Sequence, residues 1–301
     1  MGRGRIGYSG GKNIMKRDLY YRELDVKDET TSQGVLFHWC RSGVSVLDVG
    51  CACGHLGKAL HDHKNCRCWG IEYEPRHREI AAELGVYEEI VDTDLNHLTP
   101  ESFAAWRGKF DTVIAGDVLE HLTGAQTALT KLKECLGAAG ELLISLPNIA
   151  HASIKAGLLL DQFRYSTWGL LDRTHLHFYT AENVAELLSG AGVEIVEVRG
   201  TLIGINGFTD GAAFRLLEPA VLRHIFRDVH SYICQYVCRG VPSRLAPGEL
   251  LRNNSRKLAL SFADFPPELR QYAERTIREF APESRSSGYT LAFRTFDDLV
   301  I

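Results

Sequence analysis

The segment Val44–Leu60, VSVLDVGCACGHLGKAL, constrains this chain more than any other. Val46, Leu47 and Val49 suit a strand buried on both faces. Gly50 and Gly54 allow positive φ and let bare backbone approach a ligand before the chain enters a helix. Open parallel sheets bind ligands at such a place, beyond the carboxyl end of a strand where a helix N-terminus points outward. Roughly 22 residues later a second apolar run, Cys66–Glu72, ends in a carboxylate, where a ribose-binding acid belongs.

Strand and helix patterns alternate from there, which implies a parallel sheet and an α/β fold. Expected strands are Ser45–Val49, Cys66–Glu72, Glu88–Val91, Phe110–Ala115, Glu141–Leu146 and Val193–Val198. A short helix over Asp28–Cys40 precedes them, and helices near Leu56–His63, Arg76–Leu84, Gly124–Leu136 and Ala181–Ala191 separate them. Thr180 is the N-cap of the last.

Dinucleotides and S-adenosylmethionine both fit such a site, and the later motifs choose between them. GCACG (Cys51–Gly54 after Gly50) resembles the GCGTG loop of class I methyltransferases, with Ala52 where the middle glycine usually lies. VDTDL (Val91–Leu95) resembles their adenine loop, FDTVIAGDVLEHL (Phe110–Leu122) their fourth strand and active-site turn, and GELLISLPN (Gly140–Asn148) their fifth strand. The resemblance, in family order over Val44–Arg199, implies a Rossmann-like sheet of seven strands with the last antiparallel. It assigns Asp48 and the Gly50, Cys51, Ala52, Gly54 turn to the methionine end of the cofactor, Glu72 to both ribose hydroxyls, Asp94 to the adenine amine and the Leu95 amide to the ring. Without it, Asp48 reads as a turn cap and Glu72 and Asp94 as solvated loop acids.

Chemistry concentrates in GDVLEHL (Gly116–Leu122) and LLDRTHLHFYT (Leu170–Thr180). Asp117, Glu120 and His121, with the distant His175, resemble the Glu-x-x-Glu-His and His pattern of ubiquinone-pathway O-methyltransferases and small-RNA 2′-O-methyltransferases. There the carboxylates and histidines hold a divalent metal on the substrate hydroxyl. A hydroxyl attacks a sulfonium methyl well only as it loses its proton, and a bound cation lowers its pKa. Magnesium, manganese, iron and zinc all suit two oxygens and two imidazoles. The departure is Asp117 in place of Glu; the shorter side chain would otherwise serve the methionine end of the cofactor. A metal-free reading makes His121 or His175 the general base, and a structural one leaves the histidines as loop-packing groups.

The run Ser145–Thr180 resembles bacterial methyltransferases linked to glycan, O-antigen or secondary-metabolite assembly, and Tyr165 and Trp168 would stack on a sugar or an apolar acceptor. The expected activity is therefore O-methylation of a small-molecule hydroxyl on a sugar-bearing compound or natural product. RNA 2′-O-methylation and carboxyl or amine methylation are the alternatives.

A net charge of −4 over 301 residues disfavours a partner bound by phosphate neutralisation. No apolar run is long enough to span a bilayer, and the basic, Gly-rich start is not a signal peptide. Eight cysteines without zinc-finger spacing read as reduced thiols in a cytoplasmic protein. Residues 1–27 are expected to be disordered or partly ordered. Residues 28–200 with 289–301 are expected to form the core, closed by a seventh strand at Tyr289–Phe296. Residues 201–288 would then be a helical insertion between strands six and seven, with helices over Gly211–Arg227, Val229–Cys238 and Pro267–Phe280. That insertion would be either a cap over the acceptor or a homodimerisation element.

Overall fold

The computed structural model describes residues 23–203 and 212–280. Its centre is a seven-stranded sheet: β1 (Ser45–Val49), β2 (Arg67–Ile71), β3 (Tyr87–Val91), β4 (Phe110–Gly116), β5 (Leu136–Pro147), β6 (Val193–Leu202) and β7 (Ile233–Pro242). The order is β3-β2-β1-β4-β5-β7-β6. Neighbours from β3 to β5 run parallel, and β7 runs antiparallel to both β5 and β6. This is the Rossmann-like class I methyltransferase sheet. The direction in which successive strands are added reverses between β1 and β4, so the carboxyl ends of those two parallel strands open a crevice there.

Helices α1 (Ser32–Trp39), α2 (His55–Lys64), α3 (Pro75–Glu83), α4 (Ala125–Glu134), α5 (Ala152–Leu159) and α6 (Ala181–Gly190) connect the strands up to β6. Central strands are buried on both faces, β1 completely, which explains their uninterrupted apolar runs. Thr180 caps α6 in a reciprocal capping box with Asn183. Ile114 and Leu143 pack on α1 and α2 across one face of the sheet, while Val113, Leu142 and Ile144 join Leu129 and Leu188 of α4 and α6 across the other.

The structure corrects the expected closing of the sheet. The seventh strand is Ile233–Pro242, so Val229–Cys238 is not a helix: Val229–Tyr232 is a single 3₁₀ turn, capped by Asp228, that leads into β7. In the middle of β7 Tyr236, Val237 and Cys238 are all buried, so alternation is lost there, and periodicity cannot separate such a run from a buried helix. Gly240 fits here because an added Cβ would lie 2.5 Å from Val193. The expected strand at Tyr289–Phe296 and most of the 1–27 segment lie outside the described residues.

Residues 201–288 are therefore not one insertion. Helix α7 (Pro219–Arg227) lies between β6 and β7, and α8 (Pro247–Leu258) and α9 (Pro267–Phe280) follow β7. Asn254 of α8 accepts from the Ile195 amide and donates to the Val193 carbonyl and Ser189 hydroxyl, tying that helix to β6 and α6. Phe214, Phe226, Tyr232, Phe262 and Leu269 form a separate apolar cluster with Ala152 and Ala156 of α5.

Candidate functional site

After β1 the backbone turns tightly. Gly50, Ala52 and Gly54 all take positive φ, of 66°, 48° and 81°. For Ala52 this left-handed conformation costs on the order of 1 kcal/mol, and its amide is held by Glu72, whose Oε2 accepts at 2.9 Å. Oε1 of Glu72 accepts from the Glu74 amide at 2.8 Å. Each carboxylate oxygen keeps a further acceptor position, so Glu72 is fixed by the turn and still able to take two hydroxyl donors. Cys51 is buried, and its amide and that of Gly50 donate to the Ile71 carbonyl.

Asp48 lies beneath the turn, buried, where the Tyr87 hydroxyl donates to it at 2.7 Å. Burial pushes its carboxyl up to about 7, opposed by the Tyr87 bond and aided by the Glu72 charge. A carboxyl whose native pKa is raised binds its proton more readily when folded. Its contribution to stability is thus lost as pH climbs from about 4 to about 7, then stays level. Asp48→Asn removes that dependence. Its melting temperature relative to the native chain should rise across that window and plateau above it; parallel melting profiles at every pH would contradict the assignment.

Asp94 begins the turn after β3. Its carboxylate accepts from the Asn96 amide at 2.9 Å and pairs with His97, and these contacts hold it below its usual range. The Leu95 side chain is buried against the main core. Asn96, which the sequence did not single out, accepts from the Thr123 amide and hydroxyl at 2.7 and 2.9 Å, joining this loop to the turn after β4.

That turn carries the reactive groups. Glu120, His121 and His175 each bring a ligand-type atom within 4.8 Å of the others. The imidazoles meet edge to face at 4.8 Å. Backbone contacts join the two distant segments: the Leu176 and His177 amides donate to the Glu120 carbonyl at 2.8 and 3.1 Å. His121 Nδ1 lies 3.0 Å from the Thr174 carbonyl. Burial, then the charges of Asp117 and Asp172, push the Glu120 carboxyl well up. Burial and the His121 charge push His175 down. Among the described residues, Glu120 Oε2 and His175 Nδ1 are buried with no hydrogen-bond partner, an expensive arrangement for a site with nothing to bind.

Asp117, expected among the metal ligands, is not brought into this group. It sits at φ 56° after Gly116, which turns its carboxylate toward Ser145 Oγ at 2.8 Å, Gln235 Nε2 at 2.5 Å and Ser32 Oγ at 3.3 Å. That pocket is formed by β5, β7 and the start of α1, beside the Gly50 turn, where Val118 packs. Gln235 could not have been found without the correct seventh strand.

A seven-stranded mixed sheet with its last strand antiparallel, a glycine turn after β1, an acid after β2 and a polar turn after β4 defines a class I, S-adenosylmethionine-dependent methyltransferase. The chain belongs to the methyltransferase-domain family, whose model matches residues 21–198. The ubiquinone biosynthesis O-methyltransferase of Cereibacter sphaeroides is 26% identical over 160 residues, covering 52% of this chain and 63% of that protein. Its counterpart in Xanthomonas euvesicatoria pv. vesicatoria is 28% identical over 164 residues, covering 54% and 67%. The chain thus spans about 63% of the length of the first of these curated relatives. In fold it is similar to the O-methyltransferase from a trans-AT PKS multienzyme of Brevibacillus brevis, solved with S-adenosyl-L-homocysteine. That likeness has a TM-score of 0.52 and 15% identity and covers 86% of both chains. The StiE O-MT gives 0.53 at 15% identity, covering 78% of this chain and 82% of that one. No described helix is long and apolar enough to cross a membrane, and none of the eight cysteines is in a disulfide.

Proposed function

We propose that the chain is an S-adenosylmethionine-dependent O-methyltransferase that methylates a hydroxyl of a small molecule, with a divalent cation held by Glu120, His121 and His175. The observation that carries this reading is the convergence of those three side chains with two buried, unpartnered ligand atoms. The Asp117 and Asp172 charges beside buried Glu120 favour a cation there as well. The 26% identity with a ubiquinone biosynthesis O-methyltransferase supports the hydroxyl as acceptor. When bound, the cation would lower the pKa of the acceptor hydroxyl.

The chain's own residues do the rest. Glu72 binds the ribose hydroxyls, Asp94 and Leu95 take the adenine, and the Gly50–Gly54 turn with Asp117 takes the methionine end. Bound in this way, the cofactor would present its sulfonium methyl to the Glu120 turn. Tyr165 and Trp168, 57% and 40% exposed, offer aromatic faces to a sugar or an apolar acceptor body. The eight free cysteines fit a reducing, cytoplasmic setting.

The test is methyl transfer from S-adenosylmethionine to a panel of sugar, phenol and polyol hydroxyls, with and without chelator. The expected result is activity lost on chelation and restored by magnesium, manganese, iron(II) or zinc. Transfer that ignores chelator would remove the metal and leave His121 or His175 as general base. Transfer only to carboxylates or amines would overturn the acceptor class.

A further inference from the structure

We infer that Asp172 is the positioning residue of this site, aiming His175 and fixing the tautomer of His121 through a single turn; the inference rests on the site proposed above. Asp172 is 4% exposed. Its Oδ1 accepts from the Thr174 amide at 2.9 Å and from the Thr174 hydroxyl at 2.7 Å. Its own carbonyl accepts from the His175 amide at 3.0 Å. A carboxylate oxygen that gathers donors two residues ahead makes an Asx turn, which sets backbone direction independently of helix or sheet.

Two consequences follow from one turn. His175 leaves it directly toward Glu120. The Thr174 carbonyl is left facing His121 Nδ1 at 3.0 Å. A carbonyl only accepts, so the proton lies on Nδ1 and the lone pair on Nε2, the form an imidazole needs to ligate a metal or take a proton. The turn is itself anchored on both sides. The Ser166 amide donates to Leu171 and the Arg173 amide to Ser166, while Leu176 and His177 are clamped to Glu120. Asp172 is thus the side chain that converts a loop remote in sequence into a fixed support for both rings. Supports of this kind typically change metal affinity or activity by about 10- to 100-fold.

Asp172→Ala and Asp172→Asn separate turn from charge, since Asn keeps the Oδ1 acceptor. Imidazole nitrogen chemical shifts of the metal-free protein should show His121 as the single Nδ1-protonated tautomer in the native chain and in Asp172→Asn, and as a mixture in Asp172→Ala. Manganese(II) affinity by calorimetry should fall about 10- to 100-fold in Asp172→Ala and recover to within about threefold in Asp172→Asn. S-adenosylhomocysteine affinity should stay unchanged in both. A single tautomer with native manganese affinity in Asp172→Ala would overturn the inference, and so would an Asn variant as impaired as the Ala variant. If the native chain binds no manganese(II), the cation of the proposed function falls while the tautomer measurement still decides the role of Asp172. If Asp172→Ala fails to bind S-adenosylhomocysteine, Thr174→Val, which removes only the hydroxyl bond, takes its place and should show admixture of the second tautomer; an unmixed tautomer there overturns the inference.

Discussion

Replacing either imidazole of the site with alanine, His175→Ala or His121→Ala, is expected to lower turnover by about 10²-fold or more while leaving S-adenosylhomocysteine affinity within about twofold. The size follows from what each ring does. With a cation, each variant loses one of three protein ligands and leaves buried Glu120 facing an incomplete site. Without one, each loses a base or its partner, and general bases are typically worth about 10²–10⁴-fold. The separation of turnover from affinity follows from position, because the two rings pack on each other beside Glu120, whereas the Gly50–Gly54 turn is held by Glu72 and Ile71. Steady-state rates on any accepted hydroxyl, with calorimetry on the same preparations, give both quantities. Native turnover in both variants would reduce the cluster to loop packing.

Glu72→Ala should act in the opposite way, on affinity first. Its two oxygens already hold the Ala52 and Glu74 amides, so the substitution removes both the ribose contacts and the clamp on a turn that Ala52 holds in a left-handed conformation. Each charge-assisted hydrogen bond is worth roughly 1.5–3 kcal/mol, about tenfold to a hundredfold in affinity. Losing two contacts should therefore weaken S-adenosylhomocysteine binding by about 10²-fold or more. Calorimetric titration measures it; equal affinity in the variant would refute the role of Glu72, and binding of NAD by the native chain would overturn the cofactor class.

Much of the fold was legible because the central strands carry continuous apolar runs closed by turn residues. Ser45–Val49 and Pro267–Phe280 fall where the sequence puts them, and most other core elements agree within a few residues. What failed was β7. Ile233–Pro242 buries three residues in a row, Tyr236 to Cys238, and has cysteines at positions 234 and 238 that mimic a helical repeat, so only its β-branched Ile233, Val237 and Val241 and its terminal Gly-Val-Pro hinted at a strand. Misplacing it carried the domain boundary with it. Glu120, His121 and His175 were readable as chemistry, yet their convergence rests on the Leu176 and His177 amides meeting the Glu120 carbonyl, a backbone pairing that no residue type announces. Asp117 was read both as a metal ligand and as a contact for the methionine end of the cofactor, and the sequence could not choose between them. Its three partners come from α1, β5 and β7, and a positive φ after Gly116 decides which way the carboxylate points.

Methyl transfer of the kind proposed requires cofactor and cation to sit together at the β4 turn. Crystals grown with S-adenosylhomocysteine and manganese(II), with diffraction recorded for the anomalous signal of manganese, address this directly. The expected map has the cofactor ribose on Glu72, its sulfur beside the β4 turn, and one anomalous peak bonded to Glu120, His121 and His175. Cofactor density away from the Gly50–Gly54 turn, or a manganese peak that avoids those three side chains, would contradict it.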